Sequence, residues 1–237
     1  MAFSSLAEID AYMKTNKCEF WEAMIREEAR DSQQPEMDIV NRMTQMYRSM
    51  KEADEAYDDS LTSRSGLSGK NGKKMADYAA THKCMCGKFG GAVMARAIKM
   101  AESNACMKRI VAAPTAGSCG VVPAILITYE RMTNTSENDM VKALFVAAGI
   151  GDVIARRASI SGARGGCQAE IGTAAAMAAG ALTFLQGGTT RQIMQAAAFA
   201  LKNMLGLTCD PVGGLVEVPC IKRNVAGVVN AISAAQL

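Results

Sequence analysis

An all-α fold is what the sequence predicts, on three observations. Apolar residues recur at steps of three and four, as in Ile39, Met43, Met46, Met50 and Ala53, the spacing of one helix face. Runs with the alternation of a strand are nearly absent: ILITY and GLVEV are the candidates, and both are short. An alanine-rich segment, GTAAAMAAGAL from Gly172 to Leu182, carries small residues on every face, which suits a central helix enclosed by others.

The elements follow in order. Ser5 with Glu8, and Asn16 with Glu19, have capping-box spacing, so two short helices are expected before the first long one. Pro35 suits the start of that long helix, over about 36–58. Further helices are expected near 72–81, 90–106, 118–132, 137–158, 168–186, 190–205 and 219–235. Between them SGLSGKNG, APTAGSCG, TNTSEN, SISGARGG, QGGTT and GLTCDPVGG carry turn chemistry. No Pro/Ser-rich linker divides the 237 residues, so one domain is expected over 1–237, an N-terminal helical segment to about 60 and a core over 61–237. Seventeen methionines against 5% aromatic residues give that core small and adaptable side chains.

Charge narrows the partners. The 26 basic and 23 acidic residues are scattered, and their net +3 argues against nucleic acid or an anionic membrane as principal partner. MAFSSLAEIDAYMK carries Glu8 and Asp10 where a secretory signal needs an apolar run, so a cytoplasmic location is expected. The two charge-free windows, Val111 to Tyr129 and Ile171 to Thr190, are broken by proline or are mostly Ala, Gly and Thr, unlike a bilayer span of about 20 apolar residues. Eight cysteines without an export signal read as metal ligands, reactive thiols or small core residues rather than as a disulfide framework.

The single histidine, His82, lies in the polar stretch ATHKCMCGKFGG with no Ser or Asp partner recognisable nearby. It reads as a surface residue, which disfavours a Ser-His-Asp hydrolase. Cys84 and Cys86 are one residue apart, unlike the gaps of zinc knuckles. Cys18 and Cys106 fall in helical patterns and read as core, and Cys119 lies where a loop meets a helix. Cys167 in ARGGCQAE, Cys209 in LTCDPVGG and Cys220 in VEVPCIKRN each stand beside glycine or proline at a helix boundary. Glycine lets backbone approach a bulky inorganic group, and Cys220, after Pro219, falls in a first helical turn whose amides stabilise a thiolate. Three such thiolates suit an iron-sulfur cluster held by three ligands, or zinc completed by a carboxylate. Separations of 42 and 11 positions match no compact motif, so three independent cysteines stay open as the alternative.

AAPTAGSCGVVPA places Thr115 and Ser118 in a glycine-containing loop leading into a helix, where amides and hydroxyls bind a carboxylate well. An ordinary capped helix start is the other reading. The GK[ST] ending of a nucleotide-binding phosphate loop is missing.

Taken together, NACMKRIVAAPTAGSCGVVPA, ASISGARGGCQAEIG and LKNMLGLTCDPVGGLVEVPCIKRN resemble the α-chain, or catalytic domain, of bacterial iron-sulfur-dependent L-serine dehydratases. The similarity runs from SRSGLSG near Ser63 almost to the last residue. The resemblance implies a largely helical catalytic domain with a [4Fe-4S] cluster on Cys167, Cys209 and Cys220. It also implies one iron free of protein thiolate and open to the hydroxyl of L-serine. The implied reaction is a Lewis-acid β-elimination yielding pyruvate and ammonia without pyridoxal phosphate; the base is not visible. Asn104 matches a family position and joins Thr115 and Ser118 as a substrate-binding expectation. Lys222 and Arg223 would hold the substrate carboxylate, balance the cluster charge, or form a solvated face. The family pairs this region with a β-chain or β-domain carrying an SSSHT-like segment; none occurs here, so a β partner and an oligomer are expected. Family α-chains also continue several dozen residues beyond AISAAQL, which implies that the last helices and part of the pocket wall lie outside this chain. Two further readings stand beside this one: elimination from cysteine or another β-substituted amino acid, and a cluster-containing redox sensor or electron-transfer module.

Overall fold

Ser5, in extended backbone, accepts a hydrogen bond from the Glu8 amide and starts α1 (Leu6–Asn16), as its spacing predicts. The computed structural model describes residues 3–81 and 83–237, and His82 lies outside the described residues. The second capping expectation needs correction. Asn16 turns its side-chain amide back to the Tyr12 carbonyl and closes α1, while Glu19 forms the reciprocal box with Glu22 that opens α2 (Phe20–Ser32). Then come α3 (Glu36–Glu55) directly after Pro35, α4 (Asn71–Ala80), α5 (Gly87–Ala105), a 3₁₀ turn at Ala116–Ser118, α6 (Val121–Thr133), α7 (Glu137–Arg157), α8 (Gly162–Leu185), α9 (Thr190–Lys202) and α10 (Val218–Gln236). ILITY lies inside α6, where a short, largely apolar run, buried from Ile125 to Thr128, is consistent with either helix or strand. Around GLVEV the extended pairing among the described residues is a single bridge between Val212 and Leu215.

The alanine-rich helix is central, as expected. Every residue of α8 from Ile171 to Thr183 is buried, and α6, α7, α9 and α10 pack against it. Small side chains permit this close approach, so larger residues on the neighbours, Ile125, Leu126, Met140 and Ile150 among them, supply most of the buried apolar bulk. Each such side chain contributes about 1.5–3 kcal/mol when removed from water. On one flank α2 and α3 pack against α7. There Arg48 and Lys51 of α3 pair with Glu137 at the start of α7, at 2.8 and 2.9 Å. Among the described residues no helix is long and apolar enough to cross a membrane.

α8 starts earlier than its periodicity suggests. A first turn over 162–165 is followed by Gly166 at φ 72° and ψ −168°, and the regular helix runs on from there. The sequence pattern detects only the part beyond this kink.

Candidate active site

The kink places Cys167 where it is needed. A side chain at position 166 would stand 2.9 Å from the Cys209 amide nitrogen and 3.0 Å from Thr208 Cα. Glycine is therefore required twice, for its left-handed φ and for the close passage of the chain carrying Cys209. Gln168 secures that passage: its amide donates to the Leu207 carbonyl at 2.8 Å, and its Oε1 accepts from the Gly206 amide at 2.9 Å. Past the exposed Cys209 the chain turns through Gly213 and Gly214 and enters α10 at Pro219, which puts Cys220 in the first turn. Arg223 ties back to Asp210 at 2.6 Å.

The three cysteines line one cavity of about 670 Å³, together with Asn104, Thr115, Gly117, Ser161, Gly162, Glu170 and Glu217. Cys167 is buried, Cys220 half-buried and Cys209 exposed. Burial pushes the Cys167 thiol up, opposed by Arg223, and pushes Cys220 up to about 12 with added repulsion from Cys167, Glu170, Cys209 and Asp210. Thiolates there need a cationic centre to form. Among the described residues no three His, Cys, Asp or Glu side chains are gathered tightly enough to grip one metal ion. The three cysteines share a cavity wall without forming such a group.

Of the other expected residues, Thr115 and Asn104 line the cavity, the Thr115 hydroxyl and one of the two Asn104 amide hydrogens already engaged within the protein. The Thr115 hydroxyl donates to Glu170, and Asn104 Nδ2 donates to the Ala116 carbonyl at 3.1 Å. Ser118 is fully buried and is not among the lining residues; its hydroxyl lies 3.0 Å from that of Thr115 and holds it in place. Lys222 is exposed and outside the cavity wall. It follows Ile221, which is buried and faces the cavity, and one step along an α-helix turns a side chain by about 100°. Arg223 gives its Nη2 to Asp210, while its Nη1 is buried with no hydrogen-bond partner. Cys119 is buried in the core, Cys18 and Cys106 are half-buried, and Cys84 and Cys86 lie outside this cavity.

Three residues were missed at the level of sequence. Glu170 lies one turn after Cys167, and its carboxylate rests against Gly117, where a side chain would come within 2.6 Å of Oε1. Glu217 stands three positions before Cys220 and lines the same cavity. Asn224, fully buried and four positions after Cys220, accepts from the Gly120 amide at 2.9 Å and donates to the Gly117 and Cys220 carbonyls at 2.8 Å each. It joins the loop carrying Thr115 to the helix carrying Cys220. Spacings of three and four from each cysteine were the available signal.

The fold and this geometry define an all-helical protein whose thiols and carboxylates converge on one cavity. Residues 15–237 match the serine dehydratase alpha chain family. The chain is 40% identical over 235 residues to the probable L-serine dehydratase alpha chain of Bacillus subtilis, covering 99% of this chain and 78% of that one. It is 46% identical over 165 residues to the L-serine dehydratase alpha chain of Peptoniphilus asaccharolyticus, covering 70% of this chain and 56% of that one. With the L-serine dehydratase of Helicobacter pylori the identity is 45% over 175 residues, 72% of this chain and 35% of the other. The chain belongs to the serine dehydratase alpha chain family.

Proposed function

We propose that this chain is the cluster-bearing catalytic part of an L-serine dehydratase, which turns L-serine into pyruvate and ammonia. The observation that carries the reading is the presence of Cys167, Cys209, Cys220 and Glu170 on one cavity wall in a member of this family. Cys167, Cys209 and Cys220 would hold a [4Fe-4S] cluster, whose iron without a protein thiolate supplies Lewis acidity toward the β-hydroxyl. The fit rests on three features of the chain. The three cysteines line one cavity without forming a tight single-ion group, and a cluster, in which each sulfur meets a different metal, asks for no such group. Burial holds Cys167 and Cys220 as thiols until a cation meets them. Gly166 keeps the Cys167 and Cys209 backbones close.

The rest of the chemistry belongs to side chains and amides. Gly162 and Ala163, at the start of α8, line the cavity, and a helix start leaves its first amides without helical partners; those amides would receive the substrate carboxylate. Glu170, aimed by Thr115, would take the α-proton. That proton and the β-hydroxyl leave as water. The aminoacrylate formed tautomerises to the imine, which takes up water and splits into pyruvate and ammonia. The relatives named as alpha chains point to a β-chain partner.

The test is pyruvate release from L-serine by anaerobically reconstituted protein together with a β-chain. Pyruvate formation that tracks iron content supports the reading. An intact cluster with no pyruvate from L-serine overturns it.

A further inference from the structure

Two carboxylates, Glu170 and Glu217, line the cavity, and no Lys or Arg does so among the described residues. The nearby Arg223 gives its Nη2 to Asp210 at 2.6 Å, its Nη1 is buried without a hydrogen-bond partner, and the residue is not among those lining the cavity. Glu170 is engaged by Thr115 and packed against Gly117 and Gly162. Glu217 is held differently. It sits just before α10, and its Oε2 accepts from the Ser65 hydroxyl at 2.7 Å. Ser65 belongs to SRSGLSG, a turn closed by the Ser63 amide on the Ser68 carbonyl at 2.8 Å and by the Ser68 amide on the Ser63 hydroxyl at 3.2 Å. The Ser63 and Ser65 hydroxyls lie 3.1 Å apart. Glu217 is half-buried as a residue, and its Oε1 is shielded from solvent with no hydrogen-bond partner in the protein. Burial pushes this carboxyl up, but the serine hydroxyls of the Ser63–Ser68 turn, with the Ser65 bond to Oε2 among them, outweigh it and hold the group below its ordinary value, so it remains an anion at neutral pH.

A carboxylate with one oxygen shielded from water and lacking a donor is costly until a cation meets it. An α-amino acid brings that cation next to the carbon on which elimination begins, as an ammonium group with three donors. A hydroxy acid of the same shape brings none. We propose that Glu217, fixed by the Ser63–Ser68 turn, is the subsite for the α-ammonium group and makes the cavity select amino acids over hydroxy acids. The inference rests on the dehydratase reading for the substrate class and adds the residue that reads it.

The experiment compares two ligands by titration calorimetry on the cluster-loaded chain with its β partner. α-Methyl-L-serine lacks an α-hydrogen and cannot be eliminated; 3-hydroxy-2-methylpropanoate has the same skeleton with hydrogen in place of the ammonium group. The native protein should prefer the first by roughly tenfold or more, the scale of a charge-assisted hydrogen bond. Glu217→Gln should weaken α-methyl-L-serine by about tenfold or more and leave the hydroxy acid within about twofold. Ser65→Ala should shift the same ratio in the same direction by less. If Glu217→Gln leaves α-methyl-L-serine unchanged, or weakens both ligands alike as a merely structural residue would, the proposal fails. Pyruvate from L-serine, measured on the same native sample, reports separately on the dehydratase reading: selective binding without pyruvate would keep the subsite and remove the reaction.

Discussion

Replacing Asn224 by aspartate changes one atom of a fully buried side chain and should be expensive. Oδ1 still accepts from the Gly120 amide, but Nδ2, which donates to the Gly117 and Cys220 carbonyls at 2.8 Å each, becomes an oxygen facing two oxygens. Two lost hydrogen bonds at about 1 kcal/mol each, plus the burden of leaving both carbonyls unpaired beside a buried charge, give about 3–5 kcal/mol at neutral pH. Burial and the facing carbonyls raise the pKa of the introduced carboxyl in the folded state above its unfolded value. The destabilisation is therefore complete above the folded pKa and shrinks as pH falls through it, because the protonated acid donates one bond again. Asn224→Ala loses the bonds without gaining a charge, so its deficit of about 2–4 kcal/mol should not vary with pH. The assay is denaturant unfolding of the three proteins between pH 4 and 8, checked by melting temperature, where each kcal/mol moves a chain of this size by about 2–4 °C. A neutral-pH deficit for Asn224→Asp below about 1 kcal/mol, or a gap from the native protein that ignores pH, would refute the clamp between the Thr115 loop and α10.

Other predictions concern the site and the flank. Serine in place of Cys167, Cys209 or Cys220 should each abolish iron retention, whereas Cys18→Ser and Cys106→Ser should leave iron unchanged; equal iron loss at all five positions, measured on anaerobically reconstituted protein, would sink the ligand assignment. Glu170→Gln should lower kcat by about 100-fold or more while iron content stays the same, and a loss smaller than about tenfold would remove it as the base. Arg48 and Lys51 hold Glu137 down from the ordinary 4.5 to about 2, by hydrogen bonding above all. Because the folded value is depressed, this stabilisation is present above about pH 4.5 and is lost as pH falls through about 2. Glu137→Gln should cost about 0.5–1 kcal/mol at neutral pH, a gap that closes with acidification; a gap that widens would contradict the pairing.

Most of the fold was legible because punctuation and periodicity coincided. The joints TNTSEN and QGGTT fall between observed helices, and the Ser136 and Thr189 side chains accept amide hydrogens at the next helix starts. Errors arose where one residue served two elements. Asn16 has the chemistry of a cap but closes the helix it ends, and the first turn of α8 has no apolar stripe to reveal it. At the site, the sequence singled out the three cysteines through neighbouring glycine and proline, and the cavity gathers them. It did not show which polar residues face inward, because that depends on packing angles between α5, α8 and α10. Thus Lys222 turned outward, Ser118 became a buried support, and Glu170 and Glu217 emerged only once the cavity wall was built.

α8 is at once the middle of the core and the bearer of Cys167 and Glu170. One rigid element thus answers to two demands, and changes selected for thermal robustness between Ile171 and Thr183 will be felt at the cavity as shifted positions of Cys167 and Glu170. The outer helices α1, α2 and α3 contribute nothing to the cavity wall. An engineer seeking a sturdier protein has room to work there, while the alanine rod leaves almost none.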